Sequence, residues 1–128
     1  MIKVAFIGAG SYGFTVKLVA DILSFEAMEN CELAFMDIDK KRVDRVKTII
    51  NTFLEKNGYA QKPLFTTSRK KALEGANFVV NLVKVGFLDA SIQDMDVPKK
   101  FGLVQTIGDT SGIGGVFRGL RTMPFCIQ

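Results

Sequence analysis

The feature that most constrains this chain is a glycine-spaced turn, Gly8-Ala9-Gly10-Ser11-Tyr12-Gly13, set between a short apolar run and a helical pattern. Ile2 to Ile7 is nearly continuous in apolar residues, as expected of a strand buried on both faces. From about Gly13 to Ser24 the pattern is helical, with Phe14, Leu18 and Ile22 recurring every four residues and predicted to face a sheet. A strand, a tight glycine turn and a helix open a βαβ unit. In that context G-x-G-x-x-G acquires a physical meaning that a bare match lacks. Gly8 permits the tight turn, Gly10 offers no Cβ to a close anionic ligand, and Gly13 is expected to let the helix pack near the strand. The free N–H groups and positive end of the helix then face a pyrophosphate.

The rest of the chain repeats the alternation, which predicts a Rossmann-type α/β fold: a parallel sheet with crossover helices. Cys31 to Met36 reads as the second strand, ending at Asp37. Val43, Val46, Ile50 and Phe53 form one apolar stripe on a helix from Asp39 to about Lys56, closed by Asn57-Gly58. Leu64 to Thr67 is a short third strand, and Ser68 caps a brief helix through Glu74 that Gly75 stops. Phe78 to Val83 reads as a fully buried fourth strand. Phe87 to Lys100 is helical with an expected kink or restart at Pro98, Leu103 to Ile107 is a candidate fifth strand, and a Gly/Ser-rich loop leads to a helix from Val116. The apolar end Met123–Ile127 carries no cap signal. Residues 1–128 are therefore expected to be one dinucleotide-binding domain of a longer enzyme, cut before its last strand or strands and a C-terminal catalytic domain.

Composition excludes several classes. With 48% hydrophobic and 23% charged residues the chain is a globular protein. Its net charge of +4 is spread over short groups on expected helix surfaces, so no nucleic-acid partner is indicated. No apolar run approaches a membrane span and no leader pattern is visible. The two cysteines, Cys31 and Cys126, make no disulfide framework and read as reduced filler, which suggests a cytoplasmic location. The absence of histidine removes any His base, His-ligated metal or Ser–His–Asp triad from this chain.

Candidate site residues lie on the expected strand ends. Asp37 is placed to accept hydrogen bonds from the adenosine ribose, and its charge would repel a 2′-phosphate, favouring NAD over NADP. Asp39 is the natural cap of the next helix. Asn81, in the fourth strand, needs partners if buried. The cofactor is one candidate and a backbone bridge in the core another. Gln105, Asp109 and Thr110 gather after the candidate fifth strand and suggest a substrate side, with ordinary loop chemistry as the other reading.

FIGAGSYGFT, MDID, ALEGANFVVNLVKVG, DVPKKFGLVQTIGDTSGIGG and GLRTMP, in that order and spacing, resemble glycoside hydrolase family 4 over essentially the whole chain. These are NAD- and manganese-dependent α-galactosidases, α-glucosidases, α-galacturonidases and 6-phosphoglycosidases. The resemblance implies a glycosidase outside the two-carboxylate mechanism. NAD takes a hydride from C3 of the sugar, a tyrosine removes the acidified C2 proton, and the leaving group is eliminated. Water addition and hydride return complete hydrolysis, with the metal polarising the C3 carbonyl. By resemblance Gly8, Gly10, Ser11, Gly13, Phe14 and Asp37 are cofactor positions, Asn81 meets NAD, and Asp109 is the acid that raises the basicity of the tyrosine. The family's metal-ligating Cys and His and its Tyr lie downstream. Cys126, Tyr12 and Tyr59 do not correspond to them.

Where members acting on 6-phosphorylated sugars have an arginine, this chain has Ser91, which cannot make a bidentate grip on phosphate. A non-phosphorylated α-glycoside is therefore the expected small-molecule substrate, and the full-length protein is expected to be a homo-oligomer. Two other readings remain: a dehydrogenase of the lactate/malate type, against which the GDTSGIGG loop argues, and a stand-alone dinucleotide-binding module.

Overall fold

The computed structural model describes residues 1–105 and 112–127 and divides into two compact units, Met1–Val83 and Lys84–Gln128. The first is a four-stranded parallel sheet in the order β3-β2-β1-β4, with β1 Lys3–Ile7, β2 Glu32–Met36, β3 Leu64–Thr66 and β4 Phe78–Asn81. Helices α1 (Tyr12–Leu23), α2 (Lys40–Lys56) and α3 (Arg69–Leu73) make the crossovers, and a 3₁₀ turn, Glu26–Met28, leads into β2. Because the chain runs outward from β1 to β2 and β3 and then returns to β4 on the other side, β1 marks the point where strand order reverses. Open α/β sheets bind ligands beyond the strand ends at such a point.

The core forms where α1 and α2 lay their buried stripes on β1 and β2. Val4 and Phe6 of β1, Leu33 and Phe35 of β2, Val19 and Leu23 of α1, and Val46, Ile50 and Leu54 of α2 are buried together. Phe6, Phe35 and Phe65 stack in a row across three strands, with ring centroids 4.9 and 5.3 Å apart. Cys31 is buried beside them, and loss of solvent pushes its thiol pKa up, as befits an unreactive packing residue.

Local stop signals act as the sequence predicts. The Asp39 side chain accepts the Lys41 N–H at 2.8 Å, and the Ser68 hydroxyl accepts the Lys71 N–H at 3.4 Å. Gly58 and Gly75 close their helices in the left-handed region.

Two expectations fail in this unit. The buried positions of α1 are Thr15, Val19 and Leu23, one residue on from the predicted stripe. Leu18 and Ile22 pack only partly against the core, and Phe14 is 67% exposed. Nor is β4 buried: Phe78 and Val79 are both more than half exposed. Among the described residues it pairs with β1 alone and stands at the edge of the sheet.

The second unit contains α4 (Phe87–Lys99) and α5 (Ile113–Cys126). Pro98 sits in the last turn of α4 without restarting it. The segment predicted as a fifth strand is instead used to close that helix. Leu103 N–H bonds Pro98 O at 3.1 Å and Gly102 N–H bonds Lys99 O at 3.0 Å, with Gly102 at φ +79°, a Schellman termination. No strand is formed by Leu103–Gln105, and Thr106 and Ile107 lie outside the described residues. Helix α5 begins at Ile113, three residues earlier than its pattern indicates. Among the described residues no helix is long and apolar enough to cross a membrane.

Candidate dinucleotide site and the α4–α5 clamp

The glycine turn hangs from the end of β2. The N–H groups of Gly8 and Ala9 both bond the carbonyl of Met36 at 2.9 Å. Gly10 N–H bonds Oδ2 of Asp37 at 2.9 Å, and Oδ1 of the same carboxylate accepts the Asp39 N–H at 3.0 Å. Asp37, 6% exposed, is thus the buckle between the turn and the start of α2. Thr15, fully buried one turn into α1, reaches Ala9 O and Ser11 O with its hydroxyl at 2.9 and 3.0 Å. That residue was missed because a threonine in an apolar stripe looks like a flaw in it.

These bonds decide which donors can meet an anion. The N–H groups of Gly8, Ala9 and Gly10 are consumed within the turn. Helical bonding resumes with Thr15 N–H on Ser11 O at 3.0 Å. The first-turn donors at Tyr12, Gly13 and Phe14 precede it and have no partner in the helix ladder. Ser11 supplies no side-chain cap, and the first turn of α1 holds no acid. Within its own cap and first turn this helix start therefore has no acid to neutralise its positive end.

The glycines differ in role. A side-chain carbon on Gly10 would lie 2.4 Å from Asp37 Oδ2 and 2.8 Å from Arg42 Cδ, so the cradle is closed to any larger residue. Gly13 does not serve the close helix–strand packing that the sequence led us to expect. A side-chain carbon there would meet no protein atom within 4 Å. The space around it is open.

Asn81 pairs in register with Ile7, so it stands at the strand ends beside the turn. It is exposed, not buried, and its Oδ1 accepts the Val83 N–H at 3.0 Å. Tyr12, Phe14 and Ile38, on the segments bordering this edge, are 50%, 67% and 75% exposed.

In the second unit the main polar feature is one the sequence did not reveal. Asp94 of α4, 4% exposed, takes a two-pronged grip from Arg121 of α5 at 2.7 and 2.5 Å. The Arg121 guanidinium holds the Asp94 carboxyl below the usual range. Gln105 belongs to the same clamp. Pro98 has no N–H to give to the carbonyl of Asp94, and Gln105 Nε2 donates to that oxygen at 3.3 Å instead. Ser91, one turn before Asp94, turns its hydroxyl back onto Phe87 O at 3.2 Å. Asp109 and Thr110 lie outside the described residues.

The clamp has a pH signature. Because the folded Asp94 pKa is depressed, its contribution is present above the unfolded value, about 3.9, and is lost as pH falls through the folded value. Asp94→Asn is expected to lower the urea midpoint at pH 7 and to flatten the acid limb of the stability–pH curve below about pH 4. An unchanged acid limb would show the pair to be without energetic weight.

Comparison with known proteins accords with this geometry. The family model described as family 4 glycosyl hydrolase matches residues 3–128. The chain is 41% identical over 126 residues to an alpha-galactosidase of Rhizobium meliloti, covering 98% of this chain and 26% of that protein. It is 39% identical to an alpha-galactosidase of Bacillus subtilis, covering 97% of this chain and 29% of that one. Among solved structures it superposes with TM-score 0.84 and 26% identity on the 6-phospho-beta glucosidase from Thermotoga maritima with manganese, NAD+ and glucose-6-phosphate, covering 99% of this chain and 30% of that one. A 6-phospho-alpha-glucosidase from gut microorganisms, in complex with NAD and glucose-6-phosphate, gives TM-score 0.83 at 28% identity, covering 99% of this chain and 28% of that one. The chain thus spans less than a third of the length of each of these proteins, and it belongs to family 4 of the glycosyl hydrolases.

Proposed function

We propose that this chain is the NAD-holding part of a longer, redox-assisted glycosidase that hydrolyses a non-phosphorylated α-glycoside, an α-galactoside first. The observation that carries the reading is the start of α1, which has no side-chain cap and no acid in its first turn, with open surroundings at Gly13 and a Gly10 closed to any side chain. The residues present fit a dinucleotide. The helix start would hold the pyrophosphate, Asp37 and the end of β2 would meet the adenosine side, and Asn81 the ribose or nicotinamide side. The exposed Tyr12, Phe14 and Ile38 offer apolar surface for such a ligand to cover. When bound, NAD would supply a hydride acceptor for the sugar. The need for that cofactor places the reaction in the cytoplasm.

The substrate branch rests on two supports. The two relatives named at 41% and 39% identity are alpha-galactosidases, and Ser91 offers no cation to a sugar phosphate. Asp109, Thr110 and Gln105 are proposed for the substrate side, with Asp109 supporting a base supplied from outside this chain. Manganese would likewise be held from outside it, by the Cys and His that the resemblance places downstream. Family membership leaves the lactate/malate-type dehydrogenase without support.

Gly13→Ala tests the cofactor reading cleanly. Alanine meets no protein atom there and favours the helix by up to about 1 kcal/mol, so folding stability should hold or rise. NAD affinity, read by calorimetric titration, should fall by about tenfold or more as the methyl enters the ligand's space. Unchanged affinity would mean that no dinucleotide runs across this helix start.

A further inference from the structure

One peptide plane of the glycine turn, the one joining Ala9 to Gly10, is held at both ends. Its N–H end is the Gly10 donor that bonds Asp37 Oδ2 at 2.9 Å. The peptide is trans, so the Ala9 carbonyl points the opposite way. There it accepts the hydroxyl of Thr15 at 2.9 Å, from a residue six positions further along the chain and fully buried in α1. A helical threonine can also turn its hydroxyl onto the carbonyl four residues back. That oxygen, on Ser11, is 3.0 Å away, but it already accepts the Thr15 N–H. The hydroxyl has a single hydrogen to give, and Ala9 is nearly closed to water that could supply another donor. The Thr15 proton therefore goes to Ala9 O.

We propose that Thr15 is a positioning residue of the dinucleotide site, acting through the Ala9–Gly10 peptide to hold the glycine turn in the form that a pyrophosphate meets. The inference rests on the dinucleotide reading above and deepens it. Thr15 is buried, so it acts on the turn and not on the ligand directly. Without the hydroxyl the Ala9 carbonyl loses its donor, and a buried acceptor left unpaired favours rotation of the peptide toward water. The same rotation carries the Gly10 N–H off Asp37, because the two groups share one rigid plane. Gly10 has no room for a side-chain carbon, so a ligand's path over it changes when the plane turns. Packing alone would not choose threonine here. Valine has nearly the same shape, and a hydroxyl among the buried residues of α1 costs free energy unless it is bonded.

The test is calorimetric titration of the full-length protein with NAD, for the wild type, Thr15→Val, Thr15→Ser and Thr15→Ala. Val19→Ala, a cavity variant in the same buried stripe, is the control. Wild type and Thr15→Val differ in the hydroxyl, as do Thr15→Ser and Thr15→Ala. Within each pair the form lacking the hydroxyl should bind NAD about tenfold more weakly. Val19→Ala should lower the urea midpoint yet keep NAD affinity within about twofold, because it leaves the bonds of the turn in place. If Thr15→Val does not fold, the serine and alanine variants still isolate the hydroxyl. Wild-type protein that binds NAD while neither pair differs by more than about twofold would overturn the inference and leave the cofactor reading intact. A loss in Val19→Ala as large as in Thr15→Val would also overturn it, reducing Thr15 to one packing residue among several. No NAD binding by the wild type would remove the cofactor reading and this inference together.

Discussion

Gly8→Ala is expected to destabilise the chain by about 3 kcal/mol, from two separable sources. Gly8 has φ +82°, and an L-residue there costs about 1–2 kcal/mol. Its new carbon would also lie 2.9 Å from Leu82 C and Val83 N. These are backbone atoms at the end of β4, so relief requires moving the strand exit, and overpacking of this kind costs about 1–3 kcal/mol. Gly58→Ala provides the internal control, since Gly58 has φ +74° and open space around it. It carries the conformational cost alone. Urea unfolding of both variants should show Gly8→Ala losing clearly more. Equal losses would mean that the approach of the turn to the β4 exit is looser than described. Against the usual 5–15 kcal/mol of net stability, a loss near 3 is large enough to shift the folded population at elevated temperature.

Asp37→Ala should be nearly as damaging, by about 2–4 kcal/mol, because it strips the acceptor from two N–H groups in a nearly closed site. Asp37→Asn keeps one oxygen and sets an NH₂ group against the other donor, so it should recover only part of the loss. The same substitutions should lower NAD affinity through the glycine turn, which Asp37 holds to the end of β2. If Asp37→Ala kept full stability while losing NAD, the carboxylate would be a ligand contact alone and its role as buckle would fall.

The sequence was most informative where one residue type has one physical use. Gly58 and Gly75 at helix ends, Asp39 and Ser68 at helix starts, and the apolar runs of β1 and β2 behave as read. It was least informative where identity and environment disagree. α1 offers apolar residues on several sides, so a four-residue stripe through Phe14 looks as good as the true one, which begins at a threonine. β4 has the composition of a central strand, and only the pairing of the four described strands sets it at their edge. Leu103–Gln105 carries strand-forming residues, yet Gly102 commits its first N–H to ending α4. Asp94 and Arg121 each read as surface charges. Their meeting depends on α4 packing against α5, across a separation of 27 positions in the chain, which no local pattern encodes.

The most direct test of the account is hydrolysis of a nitrophenyl α-galactoside by the full-length protein in deuterium oxide, with NAD and manganese supplied and then NAD withheld. Redox-assisted elimination breaks the bond between C2 of the sugar and its hydrogen in each turnover, so the released sugar should carry deuterium at C2, and cleavage should stop without NAD. Cleavage that continues without NAD and leaves the C2 hydrogen in place would instead mark a two-carboxylate glycosidase and contradict the account.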